Sequence, residues 1–159
     1  MNAKQKKEFI KQAVTLSLQN AKKGSGGPFG AVVVRNGKVI AKGSNLVTSQ
    51  NDPTAHAEVI AIRRSCQKLK RFHLEDCVIF SSCEPCPMCL AAIYWSHIPV
   101  VYFANSRKDA AKIGFDDELI YQEIEKKLHQ RQIKFVQIKS TKAKEVFKYW
   151  QDKPDKILY

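Results

Sequence analysis

The sequence predicts an α/β layered sandwich of three layers, α/β/α, around a central mixed sheet of about five strands. Three observations carry that reading. Apolar, β-rich runs alternate with segments of helical spacing along the whole chain. Two strand-to-helix steps, before His56 and before Cys86, place helix starts at one edge of the sheet, where open α/β sheets bind ligands. The chain has 159 residues, of which 44% are hydrophobic and 26% charged, the make-up of one soluble domain with a proper core.

Phe9, Ile10, Ala13, Val14, Leu16 and Ala21 recur at near-helical spacing, so residues 4–22 read as an amphipathic helix. Gly24 to Pro28 ends it. This glycine-rich loop lacks the Gly-Lys-Ser/Thr ending of a phosphate-binding loop and reads as a turn with close backbone approach. Phe29 to Val34 is a strand, Asn36-Gly37 a hairpin turn, and Val39 to Ala41 the return strand, with Asn45 at its end. Residues 46–55 form a loop. A helix runs from about Ala55 to Lys70, Val78 to Phe80 is a buried strand, and a third helix covers roughly residues 86–95. Val100 to Phe103 is a strand, Asp109 to Glu125 turn plus helix, Ile133 to Ile138 a fifth strand, and Val146, Phe147 and Trp150 sit on a final helix. No repeat or linker divides residues 1–159.

No run of 18 apolar residues predicts a membrane span, and the basic N-terminus is not followed by a signal-like apolar block. Five cysteines, three of them clustered, suit a reducing cytoplasm better than a disulfide framework. The net charge of +12 could mark a nucleic-acid partner, but the lysines are spread along the chain in short runs. A solvated basic surface is the simpler reading.

Chemistry concentrates in Ser82-Cys83-Glu84-Pro85-Cys86-Pro87-Met88-Cys89. Cys-x-x-Cys at a helix start puts two sulfurs on one turn, where the helix N-terminus favours thiolates. Pro85 and Pro87 suit such a start. His56 and Glu58 lie two residues apart at another helix start, so one can face a metal and the other its water. A tetrahedral zinc held by His56, Cys86 and Cys89 keeps one position open for that water. The rival pattern, Cys83, Cys86 and Cys89 as part of an iron–sulfur motif, lacks its fourth Cys-Pro. Cys66 and Cys77 read as small buried residues. His73, His97 and His129 belong to no motif.

His56-x-Glu58 with Pro85-Cys86-x-x-Cys89 is the signature of zinc nucleobase deaminases. Together with Gly26 to Val32, Asn51 to Val59 and Cys83 to Leu90, it makes the chain resemble the cytidine-deaminase-like superfamily over nearly its whole length. Ile93-Tyr94-Trp95, Asp109 to Asp117 and the terminal Tyr159 are similar to bacterial guanine deaminases within it. The resemblance implies hydrolysis of guanine to xanthine and ammonia by a water activated by one zinc per subunit. His56, Cys86 and Cys89 would bind the metal and Glu58 would shuttle protons. Asn45 would hydrogen-bond the purine, Phe29 and Trp95 would wall the pocket, Asp117 would recognise the guanine edge, and Tyr159 would close the site. It also implies a homodimer in which a C-terminal segment of about residues 140–159 is exchanged.

Plainer roles exist for several of these residues. Asn45 could be a turn residue, Asp116 and Asp117 could cap the following helix, and Tyr159 could be a frayed end. Two other functions compete: a tRNA-acting adenosine deaminase, favoured by the basic charge, and a non-catalytic module with a structural zinc. The second would need a fourth protein ligand that the sequence does not supply.

Overall fold

The computed structural model describes residues 1–158; Tyr159 lies outside the described residues. The chain divides into a larger unit, Met1–Glu118, and a smaller one, Leu119 onward.

In the larger unit the elements follow the order α1 (Ala3–Lys23), β1 (Gly30–Arg35), β2 (Lys38–Ser44), α2 (Val47–Gln50), α3 (Ala57–Leu69), β3 (Cys77–Cys83), α4 (Pro87–Trp95), β4 (Val100–Asn105) and α5 (Arg107–Lys112). The ends of α1 are written in its sequence. Asn2 and Gln5 form a reciprocal capping box at the start, and Gly24 stops the helix in the left-handed conformation. Asn36 and Gly37 both take positive φ, which the tight β1–β2 hairpin requires.

The sheet order is β2-β1-β3-β4. β1 pairs antiparallel with both β2 and β3, and β3 pairs parallel with β4, so the sheet is mixed as expected. Alternate residues of β1 serve opposite faces. Val32 and Val34 pack with Phe80 and Phe9 of α1; Ala31 and Val33 pack with Ala57, Ala61, Ile79 and Ile93 under α3 and α4. Three layers result, with β1 buried on both faces.

The expected strand count is corrected. Four strands pair among the described residues, and Ile133 to Ile138 is not one of them. The alternation of that segment is real, but an extended segment becomes a strand only when a neighbour takes up its backbone hydrogen bonds. Ile133 and Ile138 are 76% and 86% exposed. The smaller unit otherwise holds most of α6 (Glu118–Glu125), a short 3₁₀ turn at Leu128–Gln130, and α7 (Thr141–Asp152). Val146, Phe147 and Trp150 do lie on this final helix, and all three are exposed.

β2 lies at one margin of the sheet. On its outer side Lys68 Nζ donates to the Ile40 carbonyl at 3.0 Å and Arg64 Nη1 to the Lys42 carbonyl at 2.8 Å. These two residues, one turn apart on α3, cover acceptors that an edge strand otherwise leaves open.

α3 crosses β2 at Gly43 with no space between backbones. A Cβ there would sit on the Ala57 carbonyl oxygen and 2.7 Å from the Ala61 nitrogen. Gly43→Ala should therefore push the start of α3 away from the sheet. We expect a loss of about 1–3 kcal/mol, the usual range for overpacking, read as a lowered denaturant midpoint at unchanged m-value.

Candidate metal centre and pocket

Two helix starts converge at the end of β3. His56 is the N-cap of α3 and Glu58 lies in its first turn. Cys86 is the N-cap of α4, Pro87 follows inside the helix, and Cys89 completes the first turn. Both caps have extended backbone and neither uses its side chain to cap its own helix, which leaves the imidazole and thiol free to point outward.

Nδ1 of His56 lies 3.5 Å from Sγ of Cys86 and 3.5 Å from Sγ of Cys89. All three donor atoms fall within 4.8 Å of one another. Ordinary Zn–N and Zn–S lengths at a tetrahedral angle put nitrogen and sulfur about 3.6 Å apart, so both imidazole-to-thiol spacings suit zinc. The fit selects Nδ1 as the binding nitrogen. The group could hold a metal ion and, among the described residues, is the one such group of three.

The electrostatics agree. The Cys89 thiol donates toward Cys86, and with help from His56 it pulls Cys86 down to about 4, a thiolate at neutral pH. The same hydrogen bond, then burial, pushes Cys89 up. The hydrogen bond with Cys86 raises His56. The resulting concentration of negative charge is what a cation would neutralise.

Glu58 is 5% exposed. Burial, above all, pushes its carboxyl up. Ser81 Oγ donates to Oε1 at 2.7 Å and opposes that rise. Oε2 faces Cys89 Sγ at 3.4 Å. One oxygen is thus held by the wall and the other turned toward the metal ligands. Sequence reading missed Ser81, although two successive serines at the end of a buried strand were a visible signal.

Of the remaining expected residues, Asn45 and Phe29 are joined by a backbone hydrogen bond. Asn45 donates its backbone N–H to the Phe29 carbonyl at 3.1 Å, and its Oδ1 accepts from the Gly27 and Val47 amides, each at 3.2 Å. Its Nδ2 meets no acceptor among the described residues. The Phe29 ring meets Phe115 edge-on with centroids 4.9 Å apart. Asp116 Oδ1 accepts from the Glu118 amide and caps α6, which releases Asp117 from that duty. Asp117 is partly buried, and burial followed by the negative charge of Cys86 pushes its carboxyl up. Trp95 lies on the last turn of α4, at the other end from the cysteines, and is 64% exposed. Phe115, whose ring meets Phe29, was not singled out either; it falls within the run from Asp109 to Asp117, and nothing in that run marks this aromatic.

Comparison with known proteins matches residues 3–105 to the family described as the cytidine and deoxycytidylate deaminase zinc-binding region. The guanine deaminase of Bacillus subtilis (strain 168) is 50% identical over 151 residues, 95% of this chain and 97% of that protein. An X-ray structure of guanine deaminase from Bacillus subtilis superposes with a TM-score of 0.94 at 48% identity, covering 100% of this chain and 99% of that one. The tRNA-specific adenosine deaminase of Aquifex aeolicus (strain VF5) is 39% identical over 99 residues, 62% of this chain and 65% of that protein.

The donor geometry predicts metal content directly. Purified protein should carry close to one zinc per chain. His56→Ala and Cys89→Ala should lose it on mild dialysis against a chelator, whereas Glu58→Gln should keep it, as atomic absorption would show.

Proposed function

The chain belongs to the cytidine and deoxycytidylate deaminase family, and from that premise we propose that it hydrolyses guanine to xanthine and ammonia. The observation that carries this reading is a buried carboxylate, Glu58, set against a zinc-compatible group with only three protein donors. The likeness to a guanine deaminase over 95% of the chain supports the choice of base.

His56, Cys86 and Cys89 would hold one zinc per subunit. When bound, the metal supplies Lewis acidity that makes water a nucleophile near neutral pH. Glu58 Oε2 takes the proton that this water loses as its oxygen bonds to the guanine carbon bearing the amino group. Glu58 then gives that proton to a ring nitrogen. A second proton, from the hydroxyl on the same carbon, passes through Glu58 to the amino nitrogen, and the carbon–nitrogen bond breaks to release ammonia. Oε1 stays on Ser81 throughout, so the carboxylate does not rotate away between transfers.

Asn45 spends its carbonyl oxygen on two backbone amides and so offers the base a donor, Nδ2–H. Asp117 accepts from N–H groups of the guanine edge. Phe29, steadied by Phe115, walls the ring; the exposed Trp95, at the far end of α4, is not placed against it within one protomer. Tyr159 closes the site.

We place residues 1–159 in one deaminase domain acting in the cytoplasm as a homodimer, with the segment of about residues 140–159 exchanged between protomers. Exposed apolar side chains support the exchange. Phe103 on β4 is 47% exposed, while Phe135, Val136, Ile138 and Phe147 of the smaller unit are all exposed, more apolar surface than a monomer ordinarily leaves in water. No helix among the described residues is long and apolar enough to cross a membrane. The net charge of +12 favours a second reading, deamination of adenosine in tRNA.

An ammonia-release screen over guanine, guanosine, adenine, adenosine, cytidine and an anticodon stem-loop separates the two. Guanine should be turned over with little salt dependence; inosine formation on the stem-loop, with binding that weakens steeply in salt, would favour the tRNA reading. Glu58→Gln should cut guanine turnover by at least about a hundredfold, the size expected for losing a proton shuttle. Exchange predicts complementation. A Glu58→Gln protein and a protein lacking Tyr159, each inactive alone, should regain activity when unfolded and refolded together, and no regain would reject the exchange.

A further inference from the structure

We propose that Asn20, near the end of α1, is a positioning residue for substrate binding, acting through the Gly26-Gly27 loop and Asn45. The proposal rests on the reading of Asn45 as a donor to the bound base.

Asn20 occupies the apolar stripe of α1, in step with Phe9, Ala13 and Leu16, and is 4% exposed. A helix gains nothing from a buried amide there, since an apolar side chain would pack without needing partners. Its Nδ2 has two hydrogens and donates to two carbonyls, Gly27 at 2.9 Å and Asn45 at 2.8 Å. One carbonyl lies in the loop before β1, and the other is that of Asn45, the residue proposed to meet the base.

Those bonds lock with others into a closed set. The Gly27 peptide is held from two sides: its carbonyl accepts from Asn20, and its N–H donates to Asn45 Oδ1. The main chain of Asn45 is pinned by Asn20 and by Phe29, and its side-chain oxygen by Gly27 and Val47. The arrangement fixes which way round the Asn45 amide lies: Oδ1 on two backbone amides, with Nδ2 left to donate to a ligand. Packing reinforces it. A Cβ on Gly26 would lie on the Asn45 carbonyl oxygen and 2.6 Å from its Oδ1, so the loop presses on Asn45 where only glycine fits.

Removing Asn20 leaves two carbonyls unpaired at a buried site and frees the loop, so the Asn45 amide can turn or shift. Binding of the base weakens, while the metal ligands and Glu58, on other elements, keep their places.

The test has two arms, using full-length zinc-loaded protein. Without substrate, the Asn45 side-chain amide resonances are followed in Asn20→Ala and in the isosteric Asn20→Asp, which replaces two donors by an acceptor. With guanine, kcat and KM are measured for Asn20→Ala, Asn45→Ala and the double variant. We expect the Asn45 resonances to move. We also expect KM to rise about tenfold for Asn20→Ala, the weight of one misplaced hydrogen bond, with kcat and zinc content changed less than about twofold. In the Asn45→Ala background, Asn20→Ala should raise KM by less than about twofold, because the group it positions is gone. Unmoved Asn45 resonances, or KM effects that simply multiply, would overturn the proposal; so would a loss confined to thermal stability. Absence of any guanine turnover by the unaltered protein would defeat the guanine assignment instead, and the substrate-free arm would still decide the positioning.

Discussion

The arrangement depends on a carboxylate kept almost dry. A buried acid is costly unless something meets its charge, and Glu58 has one hydroxyl, one thiol and a place beside a metal-compatible group to meet it. Ser81 supplies the hydroxyl from the end of β3, the strand that also delivers Cys86 and Cys89 three and six residues beyond Cys83. Position and charge are set by the same strand. Its antiparallel pairing with β1 brings Ala31 opposite Ser81, and the Gly30 amide donates to Ser82, so the glycine-rich loop and the metal end of β3 are tied together.

Much of this was legible in the sequence because it rests on short-range rules. The hairpin followed from Asn36-Gly37, the termination of α1 from Gly24, and the metal group from the spacing of His56, Glu58, Cys86 and Cys89. The three layers followed from the alternation of strands with helices. These features are local, and a few neighbouring residues specify each.

What was not legible is non-local. Ile133 to Ile138 has a strand-like pattern, yet strand formation needs a partner, and the sequence does not say where one stands. Asp116 and Asp117 are the same residue type side by side; only the hydrogen bond to Glu118 shows which one caps the helix. Asn20 reads as a polar interruption of an apolar stripe, and its partners lie seven and 25 residues away. Phe115 could have been core. Its encounter with Phe29 requires the turn at Gly114, whose positive φ redirects the chain after α5.

The two cations laid along the outer side of β2 have a consequence for assembly. Neighbouring sheets fuse by offering bare carbonyls and amides to one another, and here two acceptors of one flank, the Ile40 and Lys42 carbonyls, are already occupied by Lys68 and Arg64. Growth from both sides would allow endless stacking into fibres. A sheet open on a single flank can pair there once and offers no second edge along which that pairing could continue.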